Sequence, residues 1–263
     1  MSSTARTHWQ ITRSVWMALF LREAMARLTA TRFAWFWMLL EPLAFVVFFV
    51  AIRELMGRIR VLHNVEFIPW LIIGLVSFFL FRNGITRALG AISANRGLFA
   101  YRQVKPVDPL LVRAFLEGVL QTIVLLILLA GASLFGYDVI PGDPLGAMAL
   151  WLAIWLLGFG CGLVASVAAE LVPEIGKIIN ITMFPLFILS GAMFPVQMLP
   201  HSIQAYLLYN PVLHGVELIR VSFFNSYQTL SGISLLYLGS WILAAIALGL
   251  LLHVRFSIRL RAQ

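Results

Sequence analysis

Six long apolar stretches constrain the fold of this chain more than any other feature of its sequence. They cover residues 33–52, 67–88, 110–136, 147–171, 178–195 and 233–254. A helix needs about 20 apolar residues to cross the hydrocarbon core of a bilayer, and each stretch is close to that length. Only 11% of the 263 residues are charged, whereas soluble domains carry about 25%. We therefore predict an all-α membrane protein with six transmembrane helices.

The basic residues indicate how these spans are oriented. Six spans put both termini on one side of the membrane, and fifteen of the nineteen Lys and Arg residues fall on that side. Cytoplasmic loops carry the excess of Lys and Arg, so both termini are predicted to be cytoplasmic. The net charge of +8 then reflects membrane topology, and we predict no nucleic-acid partner. The transmembrane domain is predicted over residues 33–255, followed by a cytoplasmic tail at 256–263.

The N-terminal segment, residues 1–32, precedes the first span. Its apolar residues recur at helical spacing, at Met17, Leu21, Met25 and Leu28. Arg13, Glu23 and Arg27 are grouped on another face, which predicts an amphipathic helix lying on the cytoplasmic leaflet. A cytoplasmic helix packed against the membrane domain is the alternative.

Glu41 and Arg82 are charged residues in the first and second predicted spans. Glu41 lies inside the first span, next to a proline. The uninterrupted apolar part of the second span ends at Phe81, which leaves it short for a bilayer core of about 30 Å. Arg82 therefore either snorkels to the cytoplasmic interface or lies inside the membrane, facing protein or water.

A polar stripe runs along the third span. Arg113, Glu117 and Gln121 follow one another at i, i+4 and i+8, which places them on one face of a helix. Arg113 and Glu117 can neutralise each other, so we predict an ion pair between them. Direct contact with a transported molecule is the alternative.

Two segments between the spans also carry signals. Residues 91–108 mix basic and aromatic side chains, which is typical of contact with a partner protein; a loop lying in the lipid interface is the alternative. Asp108 and Asn210 are each followed by proline, and each pair predicts the start of a helix. Residues 197–231 are too polar and too broken by proline to span, so we predict short helices that dip into the outer leaflet.

Motifs that would indicate enzymatic chemistry are absent from the sequence. It contains no G-x-x-x-x-G-K-[ST] phosphate loop, no H-E-x-x-H zinc motif and no G-x-S-x-G nucleophile motif. The single Cys161 excludes a disulfide framework. His214 and Glu217 could form half of a metal site, but without further ligands we favour a structural polar contact. We predict a transport subunit rather than an enzyme, with no metal or other cofactor of its own.

Four stretches resemble a known family. They are FWMLLEPL around Glu41, NRGLFAYRQVKPVD from Asn95, SGAMFPVQMLP from Ser190 and YNPVLHGVELIR from Tyr209. They are spread over most of the chain in the order that this family has. The chain resembles the membrane-spanning permease subunit of bacterial ABC-2 type capsule-polysaccharide exporters.

This resemblance implies an export machine in the bacterial inner membrane. Two copies of the chain would pair around a path for lipid-linked capsular polysaccharide, above a separate nucleotide-binding subunit that binds ATP and Mg. A periplasmic polysaccharide co-polymerase and an outer-membrane export protein would continue the route. Residues 195–225 would form periplasmic gate helices. The coupling segment, which would dock on the ATPase, comprises Asn95, Arg96, Gly97, Leu98, Phe99 and Tyr101.

A polysaccharide path needs surfaces along which sugars can slide. Aromatic rings can stack on sugar rings, and a few cations can hold acidic groups without trapping them. The aromatic candidates are Trp35, Trp37, Tyr206 and Tyr209, and the cationic candidates are Arg53, Arg58 and Arg82. An aromatic belt at the membrane interface is the alternative role for the two tryptophans.

Three other functions compete with this interpretation. A permease for O-antigen or teichoic acid would have the same architecture and carry a different glycan. A membrane enzyme acting on lipid-linked sugars is disfavoured because no paired-aspartate motif for a metal-bound nucleotide sugar is present. A secondary transporter should show matched halves with broken helices, which this sequence lacks.

Overall fold

Every regular element that the structure describes is helical. The computed structural model describes residues 8–29, 34–55, 65–101 and 103–262. The α-helices in these residues are α1 (His8–Thr29), α2 (Ala34–Leu55), α3 (Phe67–Thr86), α4 (Val107–Leu134), α5 (Pro144–Leu171), α6 (Pro173–Leu189), α7 (His201–Leu207), α8 (Pro211–Phe223), α9 (Leu235–Arg255) and α10 (Ser257–Ala262). Two short 3-10 helices cover Ser93–Ala100 and Val196–Met198. The predicted all-α fold is confirmed for this part of the chain.

Four of the helices in the described ranges, α3, α4, α5 and α9, are long and apolar enough to cross a membrane. The other two predicted spans fall on α2, whose apolar part is Leu39–Ile52, and on α6, which has 17 residues. The α6 helix begins and ends earlier than the predicted limits of 178–195. Pro173 suits the first turn of a helix, and Gly191 turns the chain just beyond the other end with a φ of 68°.

One of the two predicted helix starts is confirmed, and the other is misplaced. Asn210 caps α8, and its side-chain oxygen accepts the N–H of Val212 at 3.0 Å. In contrast, α4 begins before Asp108, which lies in its first turn instead of at its cap. The Asp108 carboxylate accepts the N–H of Lys105 at 2.7 Å, so it stabilises the turn that leads into the helix.

The α3 helix lies at the centre of the fold and is buried along most of its length. Small residues allow α5 to pack closely against it, as is common between membrane helices. A Cβ atom on Gly162 would lie 2.6 Å from the carbonyl oxygen of Gly84, and one on Gly158 would lie 2.9 Å from that of Phe81. The two backbones therefore approach each other too closely for any side chain at these positions.

The predicted N-terminal helix is present as α1 and packs mainly against α4. Leu19 is buried on the inner side of α1. Met17, Leu21 and Met25 are exposed, and they form an apolar stripe on the surface of α1. Of the charged side chains that the sequence groups on another face, Glu23 and Arg27 are paired with Arg113 and Glu117 of α4, whereas Arg13 is exposed.

Candidate functional site

A cleft with polar walls lies among α1, α2, α3, α4 and α6 and has a volume of about 460 Å³. We call it the polar cleft. Its charged lining residues are Arg27, Glu41, Arg82, Arg87 and Glu117. Phenylalanine side chains from α2, α3 and α6 complete the wall. The site therefore combines aromatic surfaces with an excess of guanidinium groups over carboxylates.

Arg82 lines the polar cleft and is paired there with Glu41. The distance from Arg82 Nη2 to Glu41 Oε1 is 2.8 Å, and the guanidinium lies 4.4 Å from the ring centroid of Phe79. The Glu41 side chain is 47% exposed, so the pair stabilises the fold by no more than about 1 kcal/mol. Because this pair between α2 and α3 is weak, Arg82 can leave Glu41 and contact a bound molecule at a small cost in free energy.

The polar stripe of α4 is present, but its predicted internal ion pair is wrong. Arg113 Nε lies 2.9 Å from Glu23 Oε1 on α1. Glu117 is buried and is paired with Arg27 of α1 and with Arg87, whose Nε lies 3.5 Å from Glu117 Oε1. The four-residue spacing identifies side chains that can meet within one helix, but here the partners come from neighbouring elements.

Gln121, one turn beyond Glu117, leaves an acceptor unused in the cleft. Its side chain is 5% exposed, and its Oε1 atom accepts no hydrogen bond from the part of the chain that the structure describes. A buried polar atom without a partner costs free energy. Because this oxygen is itself buried, a molecule in the cleft reaches it only if neighbouring side chains move.

The coupling segment divides into buried and exposed residues. Asn95 and Phe99 are buried, and Phe99 packs among the chain's own apolar residues, including Ile92 and Leu163. The residues left at or near the surface are Arg96, Gly97, Leu98 and Tyr101. Arg96 is also paired with Glu170 at the end of α5. The Phe99 side chain thus contributes to the chain's own core, and its predicted contact with a partner stays a prediction.

A fully buried ion pair between Arg220 and Glu217 was not predicted from the sequence. There, Arg220 was used only as one of the basic residues outside the cytoplasmic side. Arg220 Nη1 lies 3.0 Å from Glu217 Oε1, and neither side chain is exposed to solvent. The Arg220 guanidinium also donates to the carbonyl oxygens of Gly191 and Ala192, at 2.7 and 2.9 Å. It lies 3.6 Å from the ring centroid of Trp70 on α3. One side chain therefore joins α8, α3 and the turn after α6.

Glu217 is held by further hydrogen bonds. Thr229 Oγ1 donates to its Oε2 atom at 2.8 Å, and the Tyr227 hydroxyl donates at 3.0 Å. Burial raises the pKa of the Tyr227 phenol, which keeps the hydroxyl protonated and able to donate. Two of the four family-like stretches, the ones from Ser190 and from Tyr209, supply most of this network. Glu217 and Arg220 lie three residues apart on one helix, and this spacing was the sequence signal that could have indicated the ion pair.

His214 and Glu217 do not converge on a shared site. His214 Nε2 hydrogen-bonds the carbonyl oxygen of Leu208 at 2.8 Å, and Nδ1 accepts the N–H of Ser234 at 2.9 Å. Both ring nitrogens are therefore engaged by the backbone. This is the structural polar contact that the sequence favoured.

The remaining path candidates are not among the residues that line the polar cleft. Trp37, Tyr206 and Tyr209 are exposed, and none of them contributes to the cleft wall. The side chains of Trp35 and Arg53, and the whole of Arg58, lie outside the described part of the structure. Of the seven predicted path residues, Arg82 is thus the one that the described structure brings into the cleft.

Comparison with known proteins identifies the family of the chain. Residues 14–224 match the ABC-2 type transporter family. The chain is 34% identical to the polysialic acid transport protein KpsM of Escherichia coli, over 95% of this chain and 96% of that protein. It is 31% identical to the capsule polysaccharide export inner-membrane protein CtrC of Neisseria meningitidis serogroup B, over 82% and 81% of the two chains. It is 30% identical to the capsule polysaccharide export inner-membrane protein BexB of Haemophilus influenzae, over 91% and 90%. The chain belongs to the ABC-2 type transporter membrane family.

Proposed function

We propose that this chain is the permease subunit of an ATP-driven exporter that moves capsular polysaccharide across the bacterial inner membrane. The observation that carries the proposal is the match over most of their length to relatives that are named polysialic acid transport and capsule polysaccharide export proteins. Two copies of the chain form the path, and the polysaccharide travels with its lipid anchor.

The proposed topology has six spans and cytoplasmic termini. The helices α2 and α6 cross the membrane together with α3, α4, α5 and α9. The distribution of Lys and Arg supports this orientation. It puts the polar cleft at the cytoplasmic side, where Arg82 and Glu41 lie near the corresponding ends of α3 and α2.

The polar cleft is the proposed cytoplasmic mouth of the path. Its guanidinium groups attract the acidic groups of a glycan, and its phenylalanine rings offer apolar surface to sugar rings. Because its arginines already have glutamate partners, they would bind an acidic group weakly and release it again. Weak, repeated contacts suit a polymer that has to move through the site.

ATP hydrolysis belongs to a separate subunit in this proposal. That subunit binds ATP and Mg and docks on the exposed part of the coupling segment, with Leu98 and Tyr101 as the apolar contacts. The helices α7 and α8 form a gate on the periplasmic side. A periplasmic co-polymerase and an outer-membrane export protein continue the route.

Deleting the gene in its native host, and restoring it on a plasmid, tests the proposal. We expect deletion to remove surface capsule and to leave polysaccharide accumulating inside the cell, with both effects reversed by the restored gene. Loss of O-antigen or teichoic acid with normal capsule would instead support the rival exporter. A glycan that is chemically altered or no longer made would indicate an enzyme and refute the proposal.

A further inference from the structure

We propose that α1 transmits movement of the coupling segment to the polar cleft. Arg27 is the positioning residue through which α1 acts. This inference rests on the proposed function. It assigns to the N-terminal segment a role beyond lying on the membrane surface.

The first observation is that α1 contributes a charged side chain to the cleft wall. Arg27 lines the cleft and pairs with Glu117, whose side chain is 2% exposed. A buried carboxylate remains charged only if a cation and hydrogen bonds compensate for its lost hydration. Arg87 is the other cation near it, but Arg87 is 52% exposed and lies 3.5 Å away. Arg27 is therefore the main partner that fixes the position and charge of Glu117.

The second observation is that the same helix holds the coupling segment. The guanidinium of Arg22 donates to the side-chain oxygen of Asn95. Asn95 is buried and is fixed from its other side, because its amide nitrogen donates to the carbonyl oxygen of Ala91 at 2.7 Å. Closer to the start of α1, Trp16 Nε1 donates to Asp108 Oδ1 at 2.9 Å. Asp108 follows the coupling segment in the chain.

The third observation is that these contacts lie on one continuous helix of 22 residues. Arg22 and Arg27 are five residues apart, which is about 7.5 Å along a helix axis. A helix of this length moves as one body, so a displacement of Asn95 shifts Arg27 with it. The pair between Arg27 and Glu117 then loosens, and the number of free guanidinium groups facing the cleft changes.

Glu23 offers a matched control on the same helix. It pairs with Arg113 of α4 at 2.9 Å, so it also anchors α1 to α4 through a partly buried ion pair. Neither Glu23 nor Arg113 lines the polar cleft. A purely anchoring role of α1 predicts similar effects for the two pairs, whereas a positioning role of Arg27 predicts different ones.

The test uses the permease reconstituted with its ATPase and measures polysaccharide exported per ATP hydrolysed, together with permease abundance in the membrane. We expect Arg27→Gln to lower this ratio by roughly tenfold, a typical size for coupling between two sites, at normal abundance. Arg27→Lys should recover part of the ratio. Glu23→Gln should leave it within about twofold of wild type, because the pair of Glu23 with Arg113 lies outside the polar cleft.

Exchanging the two charges within each ion pair provides a second, independent test of the proposal. Exchanging the charges of Glu23 and Arg113 should preserve coupling, because that pair lies outside the cleft. Exchanging those of Arg27 and Glu117 should not restore it, because an arginine at position 117 would face Arg87. Normal coupling in Arg27→Gln, or equal losses in Arg27→Gln and Glu23→Gln, would overturn the inference. Failure of the wild-type complex to export any polysaccharide would refute the proposed function instead.

Discussion

Removing the negative charge of Glu217 should destabilise the protein more than almost any other single change on its surface or in its core. Glu217→Gln keeps the size of the side chain but leaves the Arg220 guanidinium without its carboxylate, and neither position is reached by solvent. Breaking one partner of such a buried pair costs about 3–5 kcal/mol. Two carbonyl oxygens and a tryptophan ring still surround Arg220, but none of them carries a compensating negative charge.

The purified permease in detergent allows this cost to be measured as a change in melting temperature. For a chain of this size, each kcal/mol corresponds to roughly 2–4 °C, so we expect Glu217→Gln to lower Tm on the order of 10 °C. Glu41→Gln is the matched control, because it removes the same charge from the half-exposed pair with Arg82 and should change Tm by about 4 °C or less.

A second variant separates the lost attraction from the stranded charge. In Glu217→Gln combined with Arg220→Met, the buried cation is also removed, so Tm should recover part of the way toward that of wild type. A Tm change for Glu217→Gln no larger than that for Glu41→Gln, within about 4 °C of wild type, would refute the reasoning, because it would mean that Arg220 is solvated or compensated in another way.

Three further predictions follow from the packing of the fold and from the cleft. Gly74→Ala places a methyl group against a buried guanidinium and 2.7 Å from a carbonyl oxygen, so membrane abundance should fall, whereas Gly131→Ala, with no atom within 4 Å, should be expressed normally; equal abundance on immunoblots would contradict this. Phe99→Asp should lower abundance because it buries an unpaired charge, while Tyr101→Asp should leave abundance normal but reduce copurification of the ATPase; the opposite pattern would restore Phe99 as the docking residue. Arg82→Ala should reduce capsule export at normal permease abundance, and Arg82→Lys should recover part of it, because a point charge suffices for loose contact with an anion; full export by the alanine variant would remove Arg82 from the path.

The helices of this fold could largely be predicted because local physics determines them. Apolar runs near bilayer length located the helices, and the proline after Asn210 located the start of α8. The limits of α6 were less predictable, since they depend on where Gly191 can turn the chain. The apolar pattern continues past that turn and carries no signal for it.

The partners of the charged residues could not be predicted in the same way. Spacing along one helix suggested that Arg113 pairs with Glu117, but α1 supplies the partner of each, from about 90 positions earlier in the chain. A helical periodicity shows which side chains share a face and contains no information on which other element covers that face. The burial of Phe99 has the same cause, because its aromatic character suits a partner's groove and the chain's own core equally well.

The burial of Arg220 was the largest departure from the sequence-based view. Arginine is almost never fully buried unless it is paired. The sequence alone therefore favoured an exposed position for Arg220 in an outer loop. The compensating groups come from α8 itself, from α3 and from the turn after α6, and only the tertiary structure brings them together.

The central claim, that polysaccharide passes through the polar cleft, can be tested by photocrosslinking in cells that synthesise capsule. A photoreactive phenylalanine analogue at Phe184, which is exposed and lines the cleft, is compared with the same analogue at Phe115, which is exposed on α4 outside it. We predict that illumination links glycan to the permease at position 184 and not at position 115, and only while the ATPase is active. Equal crosslinking at both positions, or none at position 184 in a variant that exports normally, would contradict the account.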